Sequence, residues 1–248
     1  MLPIVILPGY FARAEEYQPL AELLGQAGFI TTIVPLRKLD WLPTVGGRSM
    51  VPILRQLHQT VQCTLAESGA EQVILVGHSA GGWIARIYLG EKPYVIHGDV
   101  GEDAGLWDAR DRIHTLVTLG TPHISQEPWT QRNLDFVNNN YPGAFYKTVR
   151  YLCVAGKAVY GEQRWGSWLA YQSYKITIGD GNTWGDGITP IAAAHLAGAE
   201  NLTLEGAKHA PTSGGNWYGS PEILPQWLPY LSGISTAPFC HKHAPPNN

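Results

Sequence analysis

Three glycines crowd one serine in LVGHSAGGW (Leu75–Trp83), where Gly77, Gly81 and Gly82 surround Ser79. Glycine loses more backbone entropy on folding than any other residue, so the cluster needs a reason. GHSAG (Gly77–Gly81) fits G-x-S-x-G, the pattern of a serine held out as a nucleophile on a sharp strand-to-helix turn. The flanks suit that reading: a strand-like run, Gln72–Val76, precedes it, and Trp83, Ile84, Ile87 and Tyr88 follow at helical spacing. A phosphate-binding loop is the alternative, but the chain has no G-x-G-x-x-G and no Gly-Lys-Ser/Thr. Gly77 and Gly81 then read as room for the turn, and Gly82 as room for the helix after it. A serine nucleophile needs a base to take its proton and an acid to orient that base. Behind such an elbow the acid and then the histidine follow in chain order. GDGNTWGDGITP offers two acids, Asp180 and Asp186, and LEGAKHAP offers His209. The chemistry these types point to is acyl transfer.

The elements that must position these residues alternate. Leu2–Leu7 reads as a buried strand ending in Pro8-Gly9, and Glu15–Ala27 as a helix capped at Gly28. Phe29–Leu36 is the next strand, Ser49–Glu67 the next helix, and Gln72–Val76 the strand before the serine. A helix over about Ala80–Leu89 and a strand over Ile113–Leu119 follow. Such alternation predicts a mostly parallel sheet covered by helices on both faces, an α/β class domain. Beyond Gly120 the pattern changes, and ten of the 26 aromatics fall between Trp129 and Tyr171. The reading is one domain over 1–248 with a mainly helical cap inserted at about 121–172. Tyr174–Ile178 is expected to resume the sheet, Asn201–Leu204 to form the last strand, and Pro221–Tyr230 a closing helix. Residues 237–248 are expected to be a loosely ordered tail.

With VILPGY, LVGHSAGGW, TLGTPH and GDGITP in hand, the chain resembles the α/β-hydrolase superfamily, in particular lipase-like members related to the GPI inositol deacylases. In such lipases the acid lies in a GDG-[LIV]-[VT]-P segment, which the resemblance maps onto Asp186 rather than Asp180. It also implies an oxyanion hole made of two backbone N–H groups, one from Ala80 and one from the loop after the first strand. Many relatives carry His-Gly in that loop; this chain has Pro8-Gly9, and Tyr10 N–H is the candidate donor. His123 of TLGTPH, His78, His195, His58 and His114 read as packing residues rather than reacting ones.

Composition narrows the rest. The 248 residues are 44% apolar and 15% charged, with a net charge of −3 and a pI near 6.3, so nucleic acid is not an expected partner. No apolar run approaches bilayer length, and no basic segment precedes an apolar stretch at the start. Cys63, Cys153 and Cys240 are widely spaced and odd in number, which suggests neither a disulfide framework nor a metal site. A cytoplasmic location is expected, with no cofactor and no metal. In the cap, Pro142–Gly161 reads as a helix with Phe145, Val149, Leu152, Gly156 and Tyr160 on one face and Lys147, Arg150 and Lys157 beside it. Two readings stay open there: a lid that touches a membrane or lipid surface, and a helix that packs its apolar face on the core. The expected activity is a serine hydrolase on carboxylic esters, with lipid or long-chain acyl esters as the expected substrate class, through Ser79, Asp186 and His209. A thioesterase or acyltransferase on the same residues is the alternative within that chemistry. A binding protein on a hydrolase fold is the alternative outside it.

Overall fold

The computed structural model describes residues 1–96, 105–212 and 215–232. Eight strands are present among them: β1 (Ile4–Leu7), β2 (Thr31–Ile33), β3 (Val73–His78), β4 (Ile113–Leu119), β5 (Arg150–Lys157), β6 (Val159–Tyr160), β7 (Trp184–Gly185) and β8 (Glu200–Glu205). Six build one sheet in the order β2-β1-β3-β4-β5-β8, parallel at every pairing, and β6 and β7 form a short antiparallel ribbon. The helices are α1 (Gln18–Gln26), α2 (Val51–Ser68), α3 (Ala80–Leu89), α4 (Pro128–Asn140), α5 (Trp168–Ile178), α6 (Ile191–Ala194) and α7 (Leu224–Trp227).

Alternate residues of each strand feed two cores. Val5, Leu7, Leu75 and Leu116 pack under α2 and α3, while Ile4, Ile6, Val76, Val117 and Leu152 pack under α1, α7 and Trp217. Both faces of the sheet are covered, so its strands appear in sequence as unbroken apolar runs. The architecture is a parallel six-stranded sheet flanked by helices, the α/β class expected from the alternation. Because the strands are parallel, their C-terminal ends share one rim, and loops from β1, β3, β4 and β8 meet there.

Two expectations about the second half are corrected. Pro142–Gly161 is not a helix: its centre is β5, paired between β4 and β8. Every residue from Tyr151 to Gly156 is buried, so the strand shows no alternation, and its apolar run fits a helical wheel by coincidence. Tyr174–Ile178 is not a strand but the last turns of α5, which buries Ala170, Tyr171 and Tyr174 and ends at Gly179 with φ +83°. Tertiary packing overrides the β-branched composition there. The excursion expected as one insertion over 121–172 is therefore split by β5 into 120–149, carrying α4, and 158–199, carrying the ribbon, α5 and α6. Smaller differences follow local chemistry: β2 is shorter than Phe29–Leu36, which contains Pro35, and the closing helix is one turn of α7 followed by a 3-10 turn, Leu228–Ser232. The tail over 237–248 and Cys240 lie outside the described residues.

Candidate active site

Ser79 stands between the end of β3 and the first residue of α3. Its backbone takes φ +52°, ψ −124°, a region costing a residue with a side chain about 1–3 kcal/mol. The surroundings hold it there. Ser79 N–H donates to Leu119 C=O at 2.9 Å, and Gly82 N–H donates to Ser79 C=O at 3.1 Å. A Cβ on Gly77 would stand 2.6 Å from Gly82 Cα, and one on Gly81 would stand 2.5 Å from Leu7 C=O. Gly82 serves a different contact: its Cβ would fall 2.0 Å from Thr121 Oγ1. So Gly82 admits the loop after β4 rather than only easing α3 against the sheet.

The loop after β8 brings His209 to the serine, with Nε2 3.0 Å from Ser79 Oγ. On its other side Nδ1 lies 2.8 Å from Asp186 Oδ2. A carboxylate can only accept, so the proton sits on Nδ1 and the Nε2 lone pair faces the hydroxyl. Asp186 is buried and fully engaged. Oδ1 accepts the N–H groups of Ile188 (3.0 Å) and Thr189 (2.7 Å), and Oδ2 also accepts the Tyr218 hydroxyl at 2.7 Å. Burial by itself would raise its pKa, but the neighbouring imidazole and these hydrogen bonds outweigh it and hold the carboxyl below its ordinary value. Asp186 C=O accepts from His209 N–H at 3.0 Å, which fixes the two loops to each other.

Asp180, the other acid, is exposed and caps Asn182 N–H at 2.8 Å. Ala80 opens α3, where an N–H has no partner inside the helix. Tyr10 follows Gly9, whose Cβ would lie 3.0 Å from Ser79 Cβ, so the β1 loop passes close behind Ser79. Tyr10 and Ala80 line with Ser79 a cavity of about 250 Å³ walled by Met50, Trp83, Pro122 and Ile176. A second cavity of about 270 Å³ meets Ser79 from the His209 side and is lined by Tyr10, Glu16, Lys38 and Pro211.

Of the other histidines, His78 and His123 are buried. His123 joins a buried polar cluster: Arg86 donates to Asn138 Oδ1 (3.0 Å) and Tyr141 C=O (2.8 Å) and approaches His123 Nδ1 at 3.5 Å. Cys153 Sγ lies 3.6 Å from His123 Nε2. Burial lowers Arg86 to about 10 and raises the Cys153 thiol to about 11. The cluster ties α3 to α4 and fixes the loop that carries Pro122 into the cavity wall. His58 bonds Tyr88 OH at 3.1 Å, His195 bonds Thr203 Oγ1 at 3.1 Å, and His114 bonds Thr115 Oγ1 at 2.8 Å. The cations expected on a cap helix are dispersed. Arg150 pairs with Glu200 at 2.6 Å, Lys157 pairs with Glu205 at 2.9 Å, and Lys147 is exposed on the turn before β5.

Sequence reasoning missed Tyr218, Tyr17 and Arg86. No motif marks Tyr218; its hydroxyl accepts Gly156 N–H at 2.8 Å and reaches Asp186 only because β5 and the loop after β8 are neighbours. Among the described residues no group of three or more His, Cys, Asp or Glu is placed to hold a metal, and no helix is long and apolar enough to cross a membrane.

Solved structures share this architecture. Bacillus licheniformis lipase BlEst2 aligns with a TM-score of 0.64 at 19% identity, over 93% of this chain and 91% of that one. The product of gene lin2722 of Listeria innocua aligns with a TM-score of 0.57 at 14% identity, over 95% and 96%. At these identities the likeness is one of fold. No protein of curated function matches the sequence. Residues 4–216, from the first core strand past His209, match the alpha/beta hydrolase family, and the chain belongs to it.

Proposed function

We propose that this protein is a serine hydrolase that cleaves carboxylic esters with an apolar acyl group. The observation that carries the reading is the single line from Ser79 Oγ through His209 to a buried, four-times hydrogen-bonded Asp186. His209 takes the Ser79 proton as Oγ attacks the ester carbonyl, and Asp186 stabilises the imidazolium that forms. Tyr10 and Ala80 N–H receive the developing oxyanion. His209 then passes its proton to the leaving oxygen, and water, activated by the same imidazole, releases the acyl group. The leaving alcohol must therefore lie on the His209 side, in the second cavity, and the acyl group in the cavity under Trp83 and Met50.

Support for a lipid-like acyl group comes from the rim of that first cavity. Trp129, Ile176 and Ile188 line it while about half of each is exposed. Leu169, seven residues before Ile176 and so about 10 Å along the same face of α5, extends the apolar strip with Trp168 and Trp165. The surface this reading offers to a lipid interface is the apolar strip rather than Lys147, Arg150 and Lys157. A fluorophosphonate probe is expected to label Ser79 and to fail on Ser79→Ala. Across p-nitrophenyl esters, kcat/KM is expected to rise from acetyl to medium-chain acyl groups. A folded protein that the probe does not label would refute the hydrolase reading, and a preference for acetyl would refute the apolar acyl group.

A further inference from the structure

A second hydrogen-bonded line runs beside the first without passing through Ser79. Gly9 N–H meets Tyr17 Oη at 2.9 Å, Tyr17 Oη meets His78 Nδ1 at 2.6 Å, and His78 Nε2 meets His209 C=O at 2.8 Å. The proton positions follow by elimination. An amide N–H only donates and a carbonyl only accepts, so Tyr17 gives its one proton to Nδ1, and His78 carries its own on Nε2. The line therefore points one way, from the β1 loop to the His209 loop. Both relay groups are buried, and His78 is kept neutral, its pKa pushed down to about 3 by burial and by the His209 imidazole, against opposing effects of the His209 carbonyl and Asp186.

Each end of the line is a place where the chemistry needs precision. Gly9 has no side chain to restrain it, and a rotation of the Gly9 backbone would swing Tyr10 N–H away from the oxyanion. Tyr17 pins Gly9, and His78, itself the last residue of β3 and directly before Ser79, holds Tyr17 in turn. At the other end, His209 is held through both of its peptide groups, its N–H by Asp186 C=O and its C=O by His78. The Tyr17, His78 and His209 rings also pack together, with centroids 5.6 Å and 4.9 Å apart.

We propose that Tyr17 and His78 are positioning residues that lock the oxyanion loop and the base loop to the nucleophile strand through the Gly9–Tyr17–His78–His209 relay. This rests on the ester-hydrolase reading above. It assigns a function to the histidine of GHSAG that packing alone does not require. Tyr17→Phe keeps the ring and deletes the relay. His78→Asn keeps an acceptor where Nδ1 stands and loses the reach to His209.

The test uses the whole chain with a short, soluble p-nitrophenyl ester and a trifluoromethyl ketone of the same acyl group, whose adduct on Ser79 carries an oxyanion. Misplacing reacting groups by about 1 Å costs about 10²-fold, so Tyr17→Phe is expected to lower kcat by about 10–100-fold with KM within about twofold. The ketone Ki should weaken by the same factor. His78→Asn should lose less affinity for the ketone than Tyr17→Phe while its kcat falls, because only the base end is released. A Tyr17→Phe enzyme with kcat within about threefold of wild type overturns the proposal. So does a variant whose melting temperature falls while the ketone Ki stays put, because that marks a merely structural contact. A wild-type chain that neither turns over the ester nor labels with a fluorophosphonate at Ser79 overturns the hydrolase reading and this proposal with it.

Discussion

Asp186→Asn tests the site at its most buried point. Asn keeps an oxygen for the N–H groups of Ile188 and Thr189, so the loop retains its shape. In the wild-type chain Oδ2 accepts from both His209 Nδ1 and Tyr218 OH, and in the variant a donating NH2 stands in its place. An N–H facing Nδ1 drives the ring proton to Nε2, and the lone pair that should receive the Ser79 proton disappears. Where a serine, histidine and aspartate act as a triad, loss of the correct tautomer lowers kcat by about 10⁴, equivalent to about 5.4 kcal/mol of transition-state stabilisation. The same change has a pH signature. The folded carboxyl is held below its unfolded value, near 3.9 in an unfolded chain. Its contribution to stability is therefore complete above that pH and is lost as pH falls through the folded value. Asp186→Asn should melt below wild type at pH 7, and the gap should close on acidification below about pH 4. Asp180→Asn is the control: an exposed carboxylate capping one N–H should leave kcat unchanged. The assays are ester turnover and thermal melts from pH 3 to 8. Asp186→Asn with kcat within tenfold of wild type, or Asp180→Asn as the inactive variant, would refute the assignment.

Further outcomes are expected elsewhere in the molecule. Tyr218→Phe removes a hydrogen bond to a buried charge, worth about 1.5–3 kcal/mol, and also orphans Gly156 N–H. It should raise the Asp186 pKa, so the pH at which the carboxylate's contribution to stability is lost moves upward in thermal melts, and the melting temperature at pH 7 drops by several degrees. Gly82→Ala places a methyl on Thr121; overpacking of about 1–3 kcal/mol should lower the melting temperature by about 3–10 °C, and Thr121→Gly in the same chain should restore most of it. Iodoacetamide at pH 8 should modify exposed Cys63 and spare Cys153, which is buried with a thiol raised to about 11, until denaturant is added. Rapid modification of native Cys153, read by mass spectrometry, would contradict the buried cluster around His123.

Much of the site was legible because its residues carry local constraints. GHSAG announces a strained turn through its glycines, and a strand and helix of the right lengths flank it. Asp180 and Asp186 were equivalent by spacing; family resemblance favoured Asp186, and their surroundings differ in the fold, one carboxylate exposed and the other buried with four donors. The second half of the domain was misread where short-range pattern carries little information. Tyr151–Gly156 is buried on both faces and so has neither period, and Tyr174–Ile178 has β-branched residues inside a helix whose other side packs on the core.

What the sequence by itself determined is the strained serine turn between a strand and a helix and the α/β class around it, because the G-x-S-x-G turn and the parallel α/β alternation are set by neighbours in the chain. Which groups touch was decided by tertiary structure. Tyr218 meets Asp186 across 32 residues, Tyr17 meets His78 across 61, and His78 meets His209 across 131. Those contacts exist because parallel strands deliver all their C-terminal loops to one rim, and no periodicity within a single segment records which loops will meet there.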